Sequence, residues 1–274
     1  MTTALVLAGG GVAGIAWEAG LLTGLRREGV DLGTADRIIG TSAGSVAGTL
    51  VATGADLEEA IAHQVAVDTG PPHKVDLDAV MQAFAVLFDP ALEPQEARRR
   101  VGHMALEARV DHAAERLAAV GERLPVKEWP DRELMITAVD AQTGEFVVWT
   151  RDAGVPLVLA VASSCAVPMV FPPVEIDGRR YVDGGVRSPT NADLAAGADT
   201  LVILEPLGAM SPRAVLEREL LAVRAPRTHV VQADEAAVAV FGDNVLDPAL
   251  WGPAFQAGLA QAPVVAEPLR AVWP

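Results

Sequence analysis

The sequence has a single cysteine, Cys165, so no disulfide can form within the chain. Cysteine-poor chains are typical of reducing compartments, and we therefore expect a cytoplasmic protein. Basic residues are also scarce, because 21 Lys and Arg stand against 36 Asp and Glu, for a formal net charge of −15. This balance argues against nucleic-acid binding, which requires a basic surface, and against electrostatic docking on anionic lipid. A hydrophobic route to a lipid surface remains open.

Long hydrophobic runs are absent as well. The best candidate is the uncharged segment 155–171, but Pro156 and Pro168 interrupt it and it is short for a membrane span. The segment therefore predicts a buried helix followed by a proline-ended loop. Residues 1–8 have no basic residue ahead of their apolar run, so they predict a first strand instead of a signal peptide. We expect no integral membrane segment.

What the sequence does contain is a large apolar fraction. Of the 274 residues, 51% are hydrophobic although only 4% are aromatic, which is typical of a compact α/β protein. Strand-like apolar runs alternate with helix-like segments from residue 4 onward. This alternation predicts a mostly parallel central sheet covered by helices on both faces. We interpret residues 1–274 as a single domain of this architecture.

A helical insertion around residues 76–120 interrupts the alternation, with apolar residues at helical spacing. It either only covers the sheet or it lines or closes a substrate pocket, and the sequence favours neither interpretation. Two β-hairpins are predicted after it, over 134–150 and 174–182. Residues after about 240 are punctuated by glycine and proline and give no clear pattern.

The most informative stretch is residues 40–44, Gly-Thr-Ser-Ala-Gly, between a strand-like run and a helix of small residues. A G-x-S-x-G motif in this setting is typical of a nucleophile elbow, a sharp turn that exposes the serine hydroxyl. Gly40 and Gly44 flank the serine because side chains there would crowd the turn. The free N–H groups of the following helix would favour developing negative charge. We therefore predict that Ser42 is a nucleophile.

A glycine-rich loop at residues 9–14 follows the first predicted strand. The amides of Gly9, Gly10 and Gly11 are candidates for an oxyanion hole that binds a tetrahedral intermediate. The loop also matches G-x-G-x-x-G, which predicts a dinucleotide-binding oxidoreductase. That alternative requires an acidic residue after the second strand, where this chain has the serine motif instead. A tight turn without a ligand is the third possibility.

A serine nucleophile needs a base, and Asp183 is the stronger candidate. It ends a predicted strand and precedes Gly184 and Gly185, which would allow a close approach of backbone and substrate. A carboxylate that meets a serine hydroxyl directly forms a two-residue nucleophile–base pair. The alternative is a triad in which His229 follows Ser42 and Asp183 in chain order. His229 begins an apolar strand, however, instead of standing in a loop.

The glycine loop, the serine motif and the Asp-Gly-Gly motif, in this order and at these separations, resemble those of the patatin-like phospholipases. Segments 140–145 and 162–173 are similar to that family too, so the resemblance covers roughly residues 4–205. It implies an α/β acyl hydrolase with Ser42 as nucleophile and Asp183 as base. It also implies lipid or fatty-acyl esters as substrates and chemistry that needs no metal or other cofactor.

The same resemblance implies that Gly9, Gly10 and Gly11 supply the oxyanion N–H groups. One residue departs from the family pattern, which usually has Arg or Lys just before the last glycine of the loop, where this chain has Ala13. The backbone donors survive this change, but a positive charge near the oxyanion or a lipid phosphate is lost. Simpler esters and lysolipids therefore join phospholipids as candidate substrates. A catalytically silent lipid-binding member of the same fold is a further alternative.

Overall fold

A central sheet and ten α-helices make up the part of the chain that the computed structural model describes, residues 1–71, 75–108, 110 and 113–274. The strands are β1 (Thr3–Leu7), β2 (Arg37–Gly40), β3 (Glu133–Asp140), β4 (Phe146–Trp149), β5 (Val174–Ile176), β6 (Arg179–Asp183), β7 (Thr200–Glu205) and β8 (Arg227–Gln232). The helices are α1 (Gly11–Arg27), α2 (Ala43–Ala52), α3 (Leu57–Val67), α4 (Leu77–Leu87), α5 (Pro94–Glu107), α6 (Ala113–Arg123), α7 (Leu157–Ser164), α8 (Arg213–Val223), α9 (Glu235–Phe241) and α10 (Trp251–Val272).

The strands form one sheet in which neighbours in the series β5-β6-β3-β2-β1-β7-β8 are hydrogen-bonded, and β4 also pairs with β3. The neighbouring strands β3, β2, β1, β7 and β8 pair in parallel. The pairs that involve β4, β5 or β6 are antiparallel. The predictions of a mostly parallel sheet and of two hairpins are therefore confirmed. After β1 the chain forms β2 to β6 on one side of β1, and it then forms β7 and β8 on the other side. In open α/β sheets, ligand crevices form at such a switch point, outside the carboxyl ends of the strands.

Helices cover both faces of the sheet, as predicted. Leu5 and Leu7 of β1 belong to the larger core, which contains residues of α1, α2, α7 and α10. Ala4 and Val6 belong to a second core on the opposite face, which contains residues of α8. Successive side chains of a strand point to opposite faces, so β1 is buried on both sides. Such burial explains its continuous apolar sequence.

The predicted helical insertion is present as α4, α5 and α6 and continues to Arg123. Ala83 of α4 and Val101 and Ala105 of α5 pack against residues of β3 and β6. These two helices therefore cover the sheet. The apolar segment 155–171 contains α7, also as predicted. Within the described ranges, no helix combines the length and apolarity that a membrane span requires.

Helix α10, which the sequence did not predict, packs closely against α1. A Cβ at Gly20 of α1 would lie 2.0 Å from the carbonyl oxygen of Phe255, and one at Gly258 of α10 would lie 2.2 Å from that of Trp17. Glycine at these two positions therefore allows the helix backbones to touch. The indole Nε1 of Trp17 donates a hydrogen bond to Oε1 of Gln261 at 3.0 Å. Helix α10 thus supports the helix that begins at the glycine loop.

Glu18 of α1 is fully buried, and neither carboxyl oxygen has a hydrogen-bond partner among the described residues. Burial raises the pKa of Glu18 well above its usual value, although the backbone of Ala8 opposes the shift. A carboxyl whose pKa is raised on folding stabilises the native state fully only below its unfolded pKa. That stability is lost as pH rises toward the folded pKa, by up to about 1.4 kcal/mol per pH unit.

We expect Glu18→Met to raise the free energy of unfolding and the gain to increase with pH, because methionine fills a similar volume without an ionisable group. Urea denaturation at pH 5 and pH 8 measures the effect. Glu217→Met, at an exposed position of α8, is the matched control and should show no such trend. An equal gain at both pH values would contradict the interpretation that Glu18 is held neutral.

Candidate active site

Ser42 lies in a strained turn between β2 and α2. Its backbone angles are φ 54° and ψ −117°, in a region that non-glycine residues rarely adopt. Strain of this kind has a cost on the order of 1–3 kcal/mol and is concentrated at functional sites. The strand–turn–helix setting predicted for a nucleophile elbow is therefore present.

Close backbone contacts explain the two glycines that flank Ser42. A Cβ at Gly44 would lie 1.9 Å from the carbonyl oxygen of Leu7, and one at Gly40 would lie 2.5 Å from the carbonyl oxygen of Gly44. The N–H of Gly44 also donates to the carbonyl of Ala8 at 3.0 Å. The serine turn is therefore pressed against the end of β1, where the glycine loop begins.

The end of α7 holds the backbone of Ser42 in place. The N–H of Ser42 donates to Oγ of Ser164 at 2.9 Å, and its carbonyl accepts from Oγ of Ser45 at 2.6 Å and from Sγ of Cys165 at 3.3 Å. Burial raises the pKa of the Cys165 thiol, which keeps it a donor. Sequence analysis gave Ser164 and Cys165 no role, because only the fold brings them to the serine turn.

Strand pairing brings the serine motif and Asp183 to the same place. Gly40 of β2 pairs with Ile136, and Asp183 of β6 pairs with Ala138. Ile136 and Ala138 both use their other edge to pair with β4, so β2 and β6 meet end to end along one edge of β3. Residues two apart on a strand are separated by about 7 Å. The nucleophile turn and the carboxylate therefore approach each other across Thr137.

The Asp183 carboxyl is buried beside Ser42 and is only 4% exposed. Its Oδ1 accepts the N–H of Gly185 at 2.7 Å, whereas Oδ2 has no hydrogen-bond partner of ordinary geometry among the described residues. Burial raises the pKa of Asp183 to about 7, against the opposing effects of the Ser42 hydroxyl, the Gly185 amide and the charge of Arg116. The two predicted residues thus lie together, and the carboxyl titrates near neutral pH.

Asn191 ties the turn that follows Asp183 to the serine motif. Its Nδ2 donates to Oγ1 of Thr41 at 3.0 Å, to the carbonyl of Ser188 at 2.8 Å and to that of Gly184 at 3.3 Å. Oγ1 of Thr41 lies 2.9 Å from Oγ1 of Thr137. All these groups are buried. Sequence analysis missed Asn191, since nothing in its own segment indicates that it reaches Thr41.

The structure corrects one of the three predicted oxyanion donors. The N–H of Gly9 donates to the carbonyl of Pro189 at 3.1 Å and is therefore engaged. The amides of Gly10 and Gly11 have no acceptor within the described ranges, and neither does that of Ala43. Gly11 and Ala43 also line a cleft. In nucleophile elbows the amide of the residue after the nucleophile is an oxyanion donor.

This narrow cleft opens onto Ser42, with Val12 and Ile15 of α1 among its apolar walls. Arg116 and Arg123 of α6 line it as well. Helix α6 of the insertion therefore lines the pocket, whereas α4 and α5 cover the sheet. The interpretation that the insertion covers the sheet therefore holds for α4 and α5, whereas α6 lines the cleft that contains Ser42.

Ala13, which departs from the family pattern, is fully buried in the core, and its N–H donates to the carbonyl of Val245 at 3.0 Å. The glycine loop therefore brings no charge to the cleft. Positive charge comes from α6 instead. Burial lowers the pKa of Arg116 to about 10, so this guanidinium stays protonated at neutral pH.

The structure does not bring His229 to the serine. His229 pairs with Val202 in the middle of β8, and β1 and β7 separate β8 from β2. Three strand spacings correspond to about 14 Å. Burial lowers the pKa of His229, as for an ordinary half-buried strand residue. The structure therefore does not form the alternative triad of Ser42, Asp183 and His229.

Comparison with known proteins matched this chain to one family model and to several solved structures, two of which are described here. The model of the family described as patatin-like phospholipase matches residues 5–196. VipD from Legionella pneumophila is 15% identical with a TM-score of 0.49, and the match covers 97% of this chain and 67% of VipD. The type III effector protein ExoU is 15% identical with a TM-score of 0.43, and the match covers 98% of this chain and 53% of ExoU. The chain thus spans about half the length of ExoU.

Proposed function

This chain belongs to the patatin-like phospholipase family, and from that premise we propose that it hydrolyses acyl esters of lipids with Ser42 as nucleophile and Asp183 as base. The observation that carries the proposal is the buried Asp183 carboxyl beside the strained serine, whose Oδ2 has no hydrogen-bond partner of ordinary geometry among the described residues. A general base must lie near the proton that it removes and have a pKa near the working pH.

In the first half of the reaction, Oγ of Ser42 attacks the ester carbonyl carbon while its proton passes to Asp183. The tetrahedral intermediate collapses, the C–O bond to the alcohol breaks, and Asp183 returns the proton to the leaving oxygen. An acyl-enzyme remains. Water then attacks the acyl carbon and gives its proton to Asp183, and collapse releases the fatty acid and restores the serine hydroxyl.

The pKa of Asp183 supports this role. An ordinary aspartate has a pKa of about 3.9 and is a weak base toward a hydroxyl group. Burial raises the pKa of Asp183 to about 7, so the carboxylate holds a proton more strongly while still being ionised in a large part of the molecules at neutral pH. Oδ2 is the natural acceptor of the serine proton, because Oδ1 already accepts the Gly185 amide and Oδ2 has no such partner in the part of the chain that is described.

We assign the oxyanion hole to the amides of Gly11 and Ala43, the first residues of α1 and α2. Both line the cleft with Ser42 and both amides lack an acceptor in the described part of the chain. Because α1 and α2 both begin at this cleft, their dipoles also favour the negative charge of an oxyanion there. Loss of one oxyanion donor typically costs about 3–4 kcal/mol of transition-state stabilisation.

Labelling with a fluorophosphonate tests the nucleophile without a choice of substrate. We expect one adduct per chain, located on Ser42 by peptide mass spectrometry, because an activated serine attacks the phosphorus atom. Ser42→Ala serves as the unlabelled control. Lipid binding without labelling would indicate a catalytically silent member of the fold, and tight NAD binding without labelling would favour the oxidoreductase. Either result would refute the hydrolase.

A further inference from the structure

Asn191 joins the two turns that carry the dyad, although it takes no part in the proton transfers proposed above. Its Nδ2 donates to Oγ1 of Thr41 at 3.0 Å and makes a longer contact of 3.3 Å with the carbonyl oxygen of Gly184. Thr41 directly precedes Ser42, and Gly184 directly follows Asp183. One buried amide therefore bridges the turn of the nucleophile and the turn of the base.

The surroundings of Asn191 fix the orientation of its amide. Oδ1 accepts a hydrogen bond from Nη1 of Arg187 at 2.8 Å, and the same guanidinium pairs with Asp193. On the other side, Nδ2 donates to the carbonyl of Ser188 at 2.8 Å. A flipped amide would turn its oxygen toward a carbonyl and its NH₂ group toward a cation, so both of these bonds would be lost. The donors of Asn191 are therefore held toward the serine motif.

From Thr41 the contact continues to β3, which pairs with both β2 and β6. Because Oγ1 of Thr41 accepts the Asn191 amide, its own proton is left to bond Oγ1 of Thr137, 2.9 Å away. The Thr137 hydroxyl then donates to the carbonyl of Gly40 at 3.4 Å. A buried network in which each donor has an acceptor is rigid. These bonds therefore couple the position of Asn191 to the end of the strand that leads into Ser42.

The loop that carries Asn191 has an anchor of its own. Oε2 of Glu219 in α8 accepts Oγ1 of Thr190 at 2.5 Å and the N–H of Ala192 at 2.9 Å. Oγ of Ser188 accepts the backbone N–H of Asn191 at 3.1 Å. None of these three bonds uses the Asn191 side chain. We therefore expect a shorter side chain at this position to remove the link to the dyad and to leave the loop in place.

We propose that Asn191 is a positioning residue that sets the separation and orientation of Ser42 and Asp183 for proton transfer. It acts through Thr41 and the Gly184 carbonyl and not on the substrate itself. The serine proton must reach the carboxylate of Asp183, so the distance between these two groups controls its transfer. A displacement of about 1 Å can lower the rate of such a step by about 10²-fold. This inference rests on the proposed function for its kinetic consequence.

Asn191→Ala should lower kcat for a medium-chain p-nitrophenyl ester by about 10- to 100-fold and change KM by less than about twofold, because positioning affects proton transfer and not ester binding. Gln261→Met is the matched control. Gln261 is a buried amide of α10 that donates to the carbonyl of Gln232 at 2.7 Å. Its replacement should lower the melting temperature and leave kcat unchanged. An unchanged kcat in Asn191→Ala, or a loss confined to KM, would overturn the proposal.

Thr41→Val tests the same bond from its other end and keeps the volume of the side chain. If Asn191 acts through Thr41, the two changes are coupled, and kcat of the double variant should lie within about threefold of that of the less active single variant. Losses that multiply would overturn the proposal. Circular dichroism and thermal unfolding verify the fold of each variant. If Asn191→Ala does not fold, Thr41→Val alone should still lower kcat at unchanged KM, and full activity in it would be the contrary result.

The rate of fluorophosphonate labelling distinguishes a failure of this proposal from a failure of the hydrolase mechanism. We expect Ser42 to remain the labelled residue in Asn191→Ala and the second-order rate constant of labelling to fall by at least about tenfold. Equal rates in the variant and the wild type would refute the positioning role and leave the serine hydrolase in place. A wild-type protein that resists labelling would refute the hydrolase and, with it, the positioning role.

Discussion

Replacement of Ser42 by alanine is expected to lower kcat/KM for a medium-chain p-nitrophenyl ester by about 10⁴-fold or more. The change removes Oγ, the atom that carries the acyl group of the acyl-enzyme in the proposed mechanism. Alanine keeps the backbone contacts of the turn, because Ser164, Ser45 and Cys165 bind main-chain atoms of Ser42. The variant should therefore fold normally, which circular dichroism and thermal unfolding can verify.

His229→Ala is the control for this experiment. His229 lies in β8, away from the cleft. Its replacement should therefore change kcat/KM by no more than about twofold, as is usual for a substitution outside the active site. A loss close to that of Ser42→Ala would restore the triad. Substantial activity in Ser42→Ala would remove Ser42 from its proposed role.

Asp183→Asn is expected to lower the activity strongly and yet to stabilise the protein. Asparagine retains the shape of the side chain and an acceptor for the Gly185 amide, but it cannot take a proton from the serine. General-base catalysis contributes about 10²- to 10⁴-fold, so we expect a loss in kcat/KM of that size. In the wild type, kcat/KM should rise with pH and level off above about 7, where Asp183 is ionised.

The stability effect follows from the same raised pKa. Burial raises the pKa of Asp183 from 3.8 to about 7, so its contribution to stability is fully present below about pH 4 and is lost as pH rises to about 7. Above that pH the ionised carboxylate destabilises the native state by a few kcal/mol. Asp183→Asn avoids this loss.

Urea denaturation should therefore show a higher free energy of unfolding for Asp183→Asn at pH 8 and nearly equal values near pH 4. Glu18 is present in both proteins, so its effect on the free energy of unfolding cancels when the two are compared. A wild-type activity profile with its midpoint near pH 4, or equal stabilities at pH 8, would show that Asp183 is not the buried base.

Local features of the site were predictable because they depend on residues close in sequence. The Gly-Thr-Ser-Ala-Gly motif predicts a turn between a strand and a helix, and β2 and α2 flank Ser42 as expected. The hairpin predicted over 174–182 is formed by β5 and β6, which are joined at Asp177 and Gly178. Backbone sterics and apolar periodicity are sufficient for such predictions.

Features that depend on distant residues were not predictable. Pro263 and Pro268 obscure the helical pattern of α10, which is placed by its close contact with α1. Gly9 was predicted as an oxyanion donor, but its amide is engaged by Pro189, far along the chain. Arg116 could not be assigned to the cleft from its own segment, because a solvated arginine gives the same helical pattern.

The sequence by itself determined the turn that carries Ser42, the strand that ends at Asp183 and the alternation that builds the sheet. The tertiary structure decided how these parts act together: the pairing of β2 and β6 along β3, the burial that raises the pKa of Asp183, and the amides of Gly11 and Ala43, which have no acceptor among the residues described. The physical reason is that sterics and periodicity act between neighbours in sequence. Desolvation and hydrogen-bond partnership depend instead on which distant segments pack together.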